Sequence, residues 1–226
     1  MSAEFLYKKW IMRVIVVFSI MCMFFSCVYA GILSSVKNIN VSTTFYFLVL
    51  DEAHVEAGAA FVKLDGGAGY LMEYNGRMYV ALSVYMNERD GATVQRNLSA
   101  SGKKTLLIKK GVQKLYLKNR FKKKAALYVN ALKVLRSYID MLNECTVLLS
   151  KGITQEKCKS LLQVLERQFL YARSIYAGYK QYADICERSA LELSKLSQKT
   201  IYLKDLRYLL CWQAEKYIAL CEHFSL

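Results

Sequence analysis

The 226-residue chain contains no proline, whereas ordinary usage near 5% would give roughly eleven. A chain without proline has few rigid turns and favours long, unbroken helices. Histidine occurs only at His54 and His223, and no Cys-x-x-Cys pair occurs among the seven cysteines. These shortages argue against a zinc site, and we predict that the protein holds no metal and no cofactor.

The sequence also lacks a convincing set of catalytic residues. The stretch "DGGAG" (65–69) has neither the GxGxxG spacing nor the lysine of a phosphate-binding loop. Ser83 has no evident base beside it. His54 follows Asp51 and Glu52 closely, which fits a surface histidine at the start of a helix. We therefore predict that the protein is not an enzyme.

Acidic residues are absent between Asp90 and Asp140, and the whole chain has a net charge of +14. Clustered cations attract polyanions. The predicted basic patch consists of Lys103, Lys104, Lys109, Lys110, Lys118, Arg120, Lys122, Lys123 and Lys124. If this patch lies outside the membrane, its partners are anionic lipid headgroups or wall polymers, not nucleic acid. The alternative is a solvated face that keeps the protein soluble.

Residues 14–33, "VIVVFSIMCMFFSCVYAGIL", carry no charge. At about 1.5 Å per residue, such a helix covers roughly the 30 Å hydrocarbon core of a bilayer. Lys8, Lys9 and Arg13 precede the run, so the positive-inside rule leaves residues 1–13 in the cytoplasm. We predict a single-pass anchor in the cell membrane, with the bulk of the chain extracytoplasmic. The alternative is a cleaved signal peptide, because "VYA" before Gly31 is an acceptable cleavage site.

After a predicted linker at 34–43, residues 44–110 alternate between strand and helix patterns. The stretches "TFYFLVL", "YLMEY", "RMYVALSVY" and "KKTLLIKK" fit strands, and "EAHVEAGAAFVKL" and "RDGATVQRNL" fit helices. The "NG" between the second and third strands is a hairpin signal. The order β-α-β-β-α-β predicts a ferredoxin-like module, with two helices on one face of a four-stranded sheet.

Residues 111–226 show the period of helices. Apolar side chains recur at alternating intervals of four and three residues in three sets, from Phe121 to Leu149, from Cys158 to Leu193 and from Leu203 to Phe224. Such spacing is typical of helices that pack as coiled coils. The predicted fold class is therefore α+β: an N-terminal transmembrane helix, a ferredoxin-like module, and a three-helix antiparallel bundle that resembles a coiled coil.

Four cysteines are placed symmetrically about the predicted bends of this bundle. In two antiparallel helices joined by a turn, the residue numbers of each facing pair add up to the same total, so a facing pair is centred on the turn. Cys145 and Cys158 are centred on the "SKGIT" turn, and Cys186 and Cys211 are centred on the second predicted bend. Disulfides persist outside the membrane. We predict that each pair lies close together, as a disulfide or, alternatively, as two buried thiols.

The third predicted strand offers a candidate ligand surface. Its alternation sends the valines toward the helices and sends Tyr79, Ser83 and Tyr85 to the opposite face. Tyr46 of the first strand would join them there. Tyrosines on an open sheet can stack on sugar rings and keep their hydroxyls for hydrogen bonds. The alternative is that the helical region covers this face.

The stretch "MYVALSVYMNERDGATVQRNL" (78–98) resembles the second half of a SPOR domain, the sporulation- and division-associated module that binds peptidoglycan. Ser83 matches the small residue of the family's strand, Tyr85 its aromatic residue, and Gly91 the small residue of its helix. The likeness covers about residues 43–110. The first strand, "FYFLVLDEA", departs from the family because it lacks the polar residue and the glycine that members often carry.

The resemblance implies binding to the glycan strands of peptidoglycan during bacterial cell division or sporulation, with Tyr46, Tyr79, Ser83 and Tyr85 as contacts. We therefore predict a membrane-anchored, extracytoplasmic cell-wall binding protein. The alternative is a membrane-tethered scaffold whose helical region docks a protein partner and which binds no glycan. An open sheet face favours the first function, and a face buried by the helical region favours the second.

Overall fold

A computed structural model describes residues 43–50, 55–112 and 124–224. This part of the chain is an α+β structure with a four-stranded antiparallel sheet and six helices. The elements are β1 (Phe45–Leu50), α1 (Val55–Leu64), β2 (Tyr70–Tyr74), β3 (Arg77–Tyr85), α2 (Glu88–Ala100), β4 (Thr105–Lys110), α3 (Ala125–Ser150), α4 (Gln155–Ile175), α5 (Lys180–Ser197) and α6 (Leu203–Phe224).

The sheet has the strand order β2-β3-β1-β4, and neighbouring strands are antiparallel. Together with the element order β-α-β-β-α-β, this is the split βαβ arrangement. The two-residue turn Asn75-Gly76 joins β2 to β3, as the hairpin signal indicates. Helix α2 begins after Asn87, whose Oδ1 accepts a hydrogen bond from the backbone N–H of Asp90 at 2.9 Å.

A β-bulge interrupts the pairing of β1 with β3. Leu48 of β1 pairs with Ser83, but the next residue, Val49, pairs with Ala81. Leu82 is therefore an extra residue on β3. An extra residue shifts the alternation of side chains by one position. Residues of β3 that simple alternation would place on the same face therefore lie on opposite faces when one precedes Leu82 and the other follows it.

The bulge places the valines of β3 on opposite faces of the sheet. Val80 lies beside Gly58 of α1, on the face that α1 and α2 cover. Val84 pairs with Phe47, and both belong to the core that the sheet shares with the helical region. The prediction that all these valines point to the same helices is therefore wrong, because simple alternation does not include the bulge.

The helical region covers the second face of the sheet. Phe45 of β1 meets Tyr217 of α6 edge to face, with ring centroids 5.8 Å apart. Tyr70 of β2 meets Tyr208 of α6 in the same way at 5.3 Å. The sheet therefore lies between two helical layers, and the second layer and the sheet share one hydrophobic core.

The predicted three-helix bundle is wrong, because four helices follow the sheet within the described residues. The apolar spacing continues without interruption through Tyr176 and Tyr179, so the sequence predicts one helix here. In the structure, α4 ends before a turn that contains Gly178, and α5 begins after it. Helices α4 and α5 fold back on each other across this turn, and Arg173 Nη2 lies 3.2 Å from Glu187 Oε1.

No helix among the described residues is long and apolar enough to cross a membrane. The described structure therefore has no counterpart of the transmembrane helix in the predicted fold class, nor of the predicted single-pass location in the cell membrane. The predicted cytoplasmic stub and anchor, residues 1–33, lie outside the described residues, as does most of the predicted linker.

Candidate functional site

Three of the four residues predicted to contact glycan lie on the sheet face that α1 and α2 cover. Tyr46 pairs directly with Tyr85, and Ser83 lies two residues before Tyr85 on the same face. Ser83 is buried, and a Cβ added at Gly91 of α2 would approach the Tyr85 ring to 3.2 Å. Burial raises the pKa of the Tyr85 phenol above its ordinary value. Ser83 and Tyr85 therefore pack between the sheet and α2.

The fourth residue, Tyr79, lies on the opposite face. It pairs with Met72 and packs against the core that the sheet shares with the helical region. Tyr79 also lines an open depression of about 550 Å³ with Tyr74, Leu106 and Lys109. The four residues do not form one site, because the bulge separates them. The resemblance to a SPOR domain and its glycan ligand stay predictions.

The predicted basic patch is partly neutralised within the protein. Lys103 Nζ lies 2.8 Å from Asp65 Oδ2, and Lys110 Nζ lies 3.1 Å from Glu215 Oε1. The exposed members without an ion pair among the described residues are Lys104, Lys109 and Lys124. Lys118, Arg120, Lys122 and Lys123 lie outside the described residues. The described part of the patch therefore offers less free charge than the sequence indicates.

The described cysteines, Cys145, Cys158, Cys186, Cys211 and Cys221, are all buried and all free. Neither predicted disulfide is therefore present in the structure. Burial raises the pKa of Cys145 to about 11, and the nearby thiol of Cys158 adds to that shift. Burial also raises the pKa of Cys186 to about 12. Thiols with such pKa values stay protonated and unreactive at neutral pH.

Helix α4 carries a second apolar line beside its buried one. Leu161, Val164, Tyr171 and Ile175 are 39%, 49%, 64% and 52% exposed, and with Gln168 they repeat at intervals of three and four residues. Each of these five residues immediately precedes a buried residue, so the exposed line and the buried line run side by side along the helix. The sequence shows both lines, but only the structure distinguishes the covered one from the exposed one.

Helix α3 extends this apolar surface. Leu127 and Leu148 are exposed on α3, and the half-buried side chain of Tyr138 lies between them along the helix. The Tyr138 ring contacts Phe169 of α4 at a centroid distance of 5.0 Å. We call the exposed surface formed by Leu127, Leu148, Leu161, Val164, Tyr171 and Ile175 the α3–α4 face. Its members lie on two neighbouring helices that pack against each other through Tyr138 and Phe169.

Comparison with known proteins adds no assignment to these surfaces: no family model, no curated protein and no solved structure matches the chain. Cell-wall binding, sporulation and cell division therefore gain no support from these comparisons. Within residues 43–50, 55–112 and 124–224, no cluster of histidine, cysteine and acidic residues could hold a metal ion. The α3–α4 face is thus the main candidate site of the described chain.

Proposed function

We propose that the protein docks a protein partner on the α3–α4 face, and that this partner contributes an acidic amphipathic helix. The observation that carries the proposal is the exposed line of Leu161, Val164, Tyr171 and Ile175 on α4. Scattered apolar side chains are ordinary on protein surfaces, but a contiguous apolar patch marks an interaction site. The regular spacing places these four side chains along one side of α4, with Gln168 between Val164 and Tyr171.

The shape of the face suits a helix. Two helices joined by a short turn, α3 and α4, lie side by side and present side chains at helical intervals. A partner helix can place its own apolar side chains between those of such a pair. Gln168 interrupts the apolar line between Val164 and Tyr171. A polar residue within an apolar seam can fix the register of the helix that packs on it.

Charge favours an acidic partner over a second copy of the chain. The chain has a net charge of +14, so two copies repel each other, whereas an acidic protein is attracted. Lys157 lies one turn before Leu161 on the same line, and Arg167 borders the line between Val164 and Tyr171. These cations can pair with acidic side chains at the rim of the contact.

The arrangement of the sheet supports the same function. Helices α1 and α2 cover one face of the sheet, and α6 covers the other, where it contacts Phe45 and Tyr70. Glycan stacking needs an open sheet face with its aromatic rings on one side. The exposed apolar surface instead lies on the helical region, as expected for a docking protein.

Site-specific crosslinking tests the proposal. A photoreactive amino acid is placed at Val164 or Tyr171 of the full chain, with Tyr202, which is 56% exposed outside the face, as the control position. We expect one protein adduct from the two face positions and none from Tyr202. A peptide that covers the acidic helix of the captured protein should bind the purified chain. Val164→Asp should weaken this binding by about tenfold or more, because a central apolar contact is lost.

Three results would overturn the proposal. One is an adduct between two copies of the chain, together with a dimer mass in sedimentation, because the occupant would then be a second copy. Another is equal crosslinking from Tyr202. The third is a peptide affinity that Val164→Asp leaves unchanged. Tyr202→Asp is the matched substitution, and it should leave the peptide affinity at the wild-type value.

A further inference from the structure

A cleft of about 280 Å³ lies where the end of α1, the end of α5 and the start of α6 meet. The turn between α5 and α6 also contacts the start of α4, so the cleft lies at the same end of the helical region as the α3–α4 turn. Its apolar lining comes from Ala68, Leu196, Leu209 and Trp212, all of which are buried. This volume is near the lower end of the range for small-molecule sites. The cleft therefore has room for one small ligand.

The cleft is rich in cations that have no acidic partner. Lys63, Arg188, Lys199 and Lys204 line it, and none of them forms an ion pair with any described residue. Two acidic residues also line it. Glu192 is paired with Lys195, whose Nζ lies 2.8 Å from Glu192 Oε1, which leaves Asp205 as the opposing charge. Four unpaired cations around one unpaired carboxylate give the cleft a positive potential.

Aromatic rings hold two of these cations in place. The guanidinium carbon of Arg188 lies 4.8 Å from the centroid of the Trp212 ring, and Lys63 Nζ lies 5.1 Å from the centroid of the Tyr208 ring. A cation over an aromatic face is stabilised there. A guanidinium on a ring keeps its in-plane N–H donors available, and these match the oxygens of a phosphate or carboxylate.

We propose that this cleft binds a small phosphate ester, with the phosphate held by Arg188 and Lys63 and the organic body packed against Leu209 and Trp212. A phosphate carries up to two negative charges and several acceptor oxygens, so it can use more than one of the free cations. The cleft also lies at the start of α6, where the partial positive charge of the helix terminus favours an anion. The apolar lining favours an ester with an organic body over inorganic phosphate.

The tryptophan in the cleft provides a direct readout. The chain has two tryptophans, Trp10 and Trp212, so the full chain with Trp10→Phe reports on the cleft alone. This protein is titrated with adenosine monophosphate, glucose 6-phosphate and inorganic phosphate, and with adenosine and glucose as uncharged counterparts. We expect a saturable change in Trp212 fluorescence with at least one ester, and no saturable change with the uncharged compounds. Added salt should weaken the binding.

Variants separate this site from the general charge of the protein. Arg188→Ala and Lys63→Ala should each weaken ester binding by about tenfold, as followed by calorimetry, because the fluorescence of Trp212 itself depends on Arg188. Lys133→Ala removes an exposed cation of α3, outside the cleft, and should leave the affinity unchanged.

Four results would overturn the proposal: no saturable binding of any ester, equal affinity for the uncharged counterparts, inorganic phosphate bound as tightly as the esters, or the same loss of affinity with Lys133→Ala. Circular dichroism of each variant establishes that a lost affinity does not come from unfolding.

Discussion

At the scale of single residues, Gln213 of α6 is the clearest departure from a well-packed core. Its side chain is fully buried, and neither its Oε1 nor its Nε2 has a hydrogen-bond partner among the described residues. A buried polar group without a partner costs about 1–3 kcal/mol. Gln213→Met keeps the shape of the side chain and removes the polar atoms. We expect this substitution to raise the free energy of unfolding by about 1–2 kcal/mol, measured by urea denaturation.

Gln155 of α4 is the matched control, because its amide is fully used. Its Nε2 donates to the Ile201 carbonyl at 3.1 Å, and its Oε1 accepts from the Ile201 backbone N–H at 2.9 Å. Gln155→Met should therefore lower the free energy of unfolding by about 1–2 kcal/mol. If both substitutions destabilise the protein equally, Gln213 makes hydrogen bonds of similar value and the interpretation fails.

At the scale of secondary-structure elements, the junction between α1 and β2 depends on a close backbone contact. Gly69 has φ +57°, and a Cβ there would lie 2.4 Å from the backbone oxygen of Ala59 in α1. Gly66 has φ +81°, but a Cβ there would meet nothing within 4 Å. Gly66→Ala therefore measures the strain of a positive φ alone, for which we expect a loss of about 1–2 kcal/mol.

Gly69→Ala adds a clash with backbone to the same strain. We expect it to lower the free energy of unfolding by at least about 1–3 kcal/mol more than Gly66→Ala does, because α1 must move away from the start of β2. Thermal and urea unfolding of the two variants test this difference. Equal losses would mean that the junction relaxes without cost, contrary to the close packing of α1 on the sheet.

The elements that the sequence predicts best are those whose signals are local. The alternation in β1 and β3 and the Asn75-Gly76 turn predict the strands and the hairpin, because pleat and turn chemistry act over a few residues. The bulge at Leu82 escapes this reasoning, since its position depends on the pairing with β1. The break between α4 and α5 is also missed, because Tyr176 and Tyr179 keep the apolar phase across the turn.

The candidate site was harder to predict than the elements. The sequence indicates which residues of α4 are apolar, but it does not show that Val164 is half exposed while its neighbour Leu165 is buried. Exposure is a property of the assembled layers, so the exposed line could be found only in the structure. The cleft at Trp212 could likewise not be predicted from the sequence, because α1, α5 and α6 contribute its lining from distant parts of the chain.

At the scale of the whole molecule, α6 joins the sheet to the helical region. Glu215 of α6 accepts hydrogen bonds from the Tyr70 hydroxyl of β2 and from Lys110 Nζ of β4, the latter at 3.1 Å. Arg207 Nη1 donates to the Gly66 carbonyl after α1 at 2.8 Å. These contacts, with the shared apolar core, make the sheet and the helical region one cooperative unit. The α3–α4 face and the cleft therefore belong to one folded unit, and the two surfaces share no lining residue.

The buried thiols of this shared core couple the stability of the whole molecule to alkaline pH. Burial raises the pKa of Cys186 and of Cys221 to about 12, from an ordinary value of 9.0. The unfolded chain releases these protons near the ordinary value, whereas the folded chain retains them. Above about pH 9 the unfolded state therefore binds fewer protons than the folded state, and the free energy of unfolding falls as the pH rises.

Each such thiol should lower the free energy of unfolding by on the order of 1 kcal/mol between about pH 8 and pH 10. Urea denaturation across this range measures the slope. The double variant Cys186→Ala and Cys221→Ala should lose stability at every pH because of the smaller side chains, yet its dependence on pH should be shallower. A slope equal to that of the wild-type chain would show that the two thiols titrate alike in the folded and unfolded states, contrary to their burial in the core.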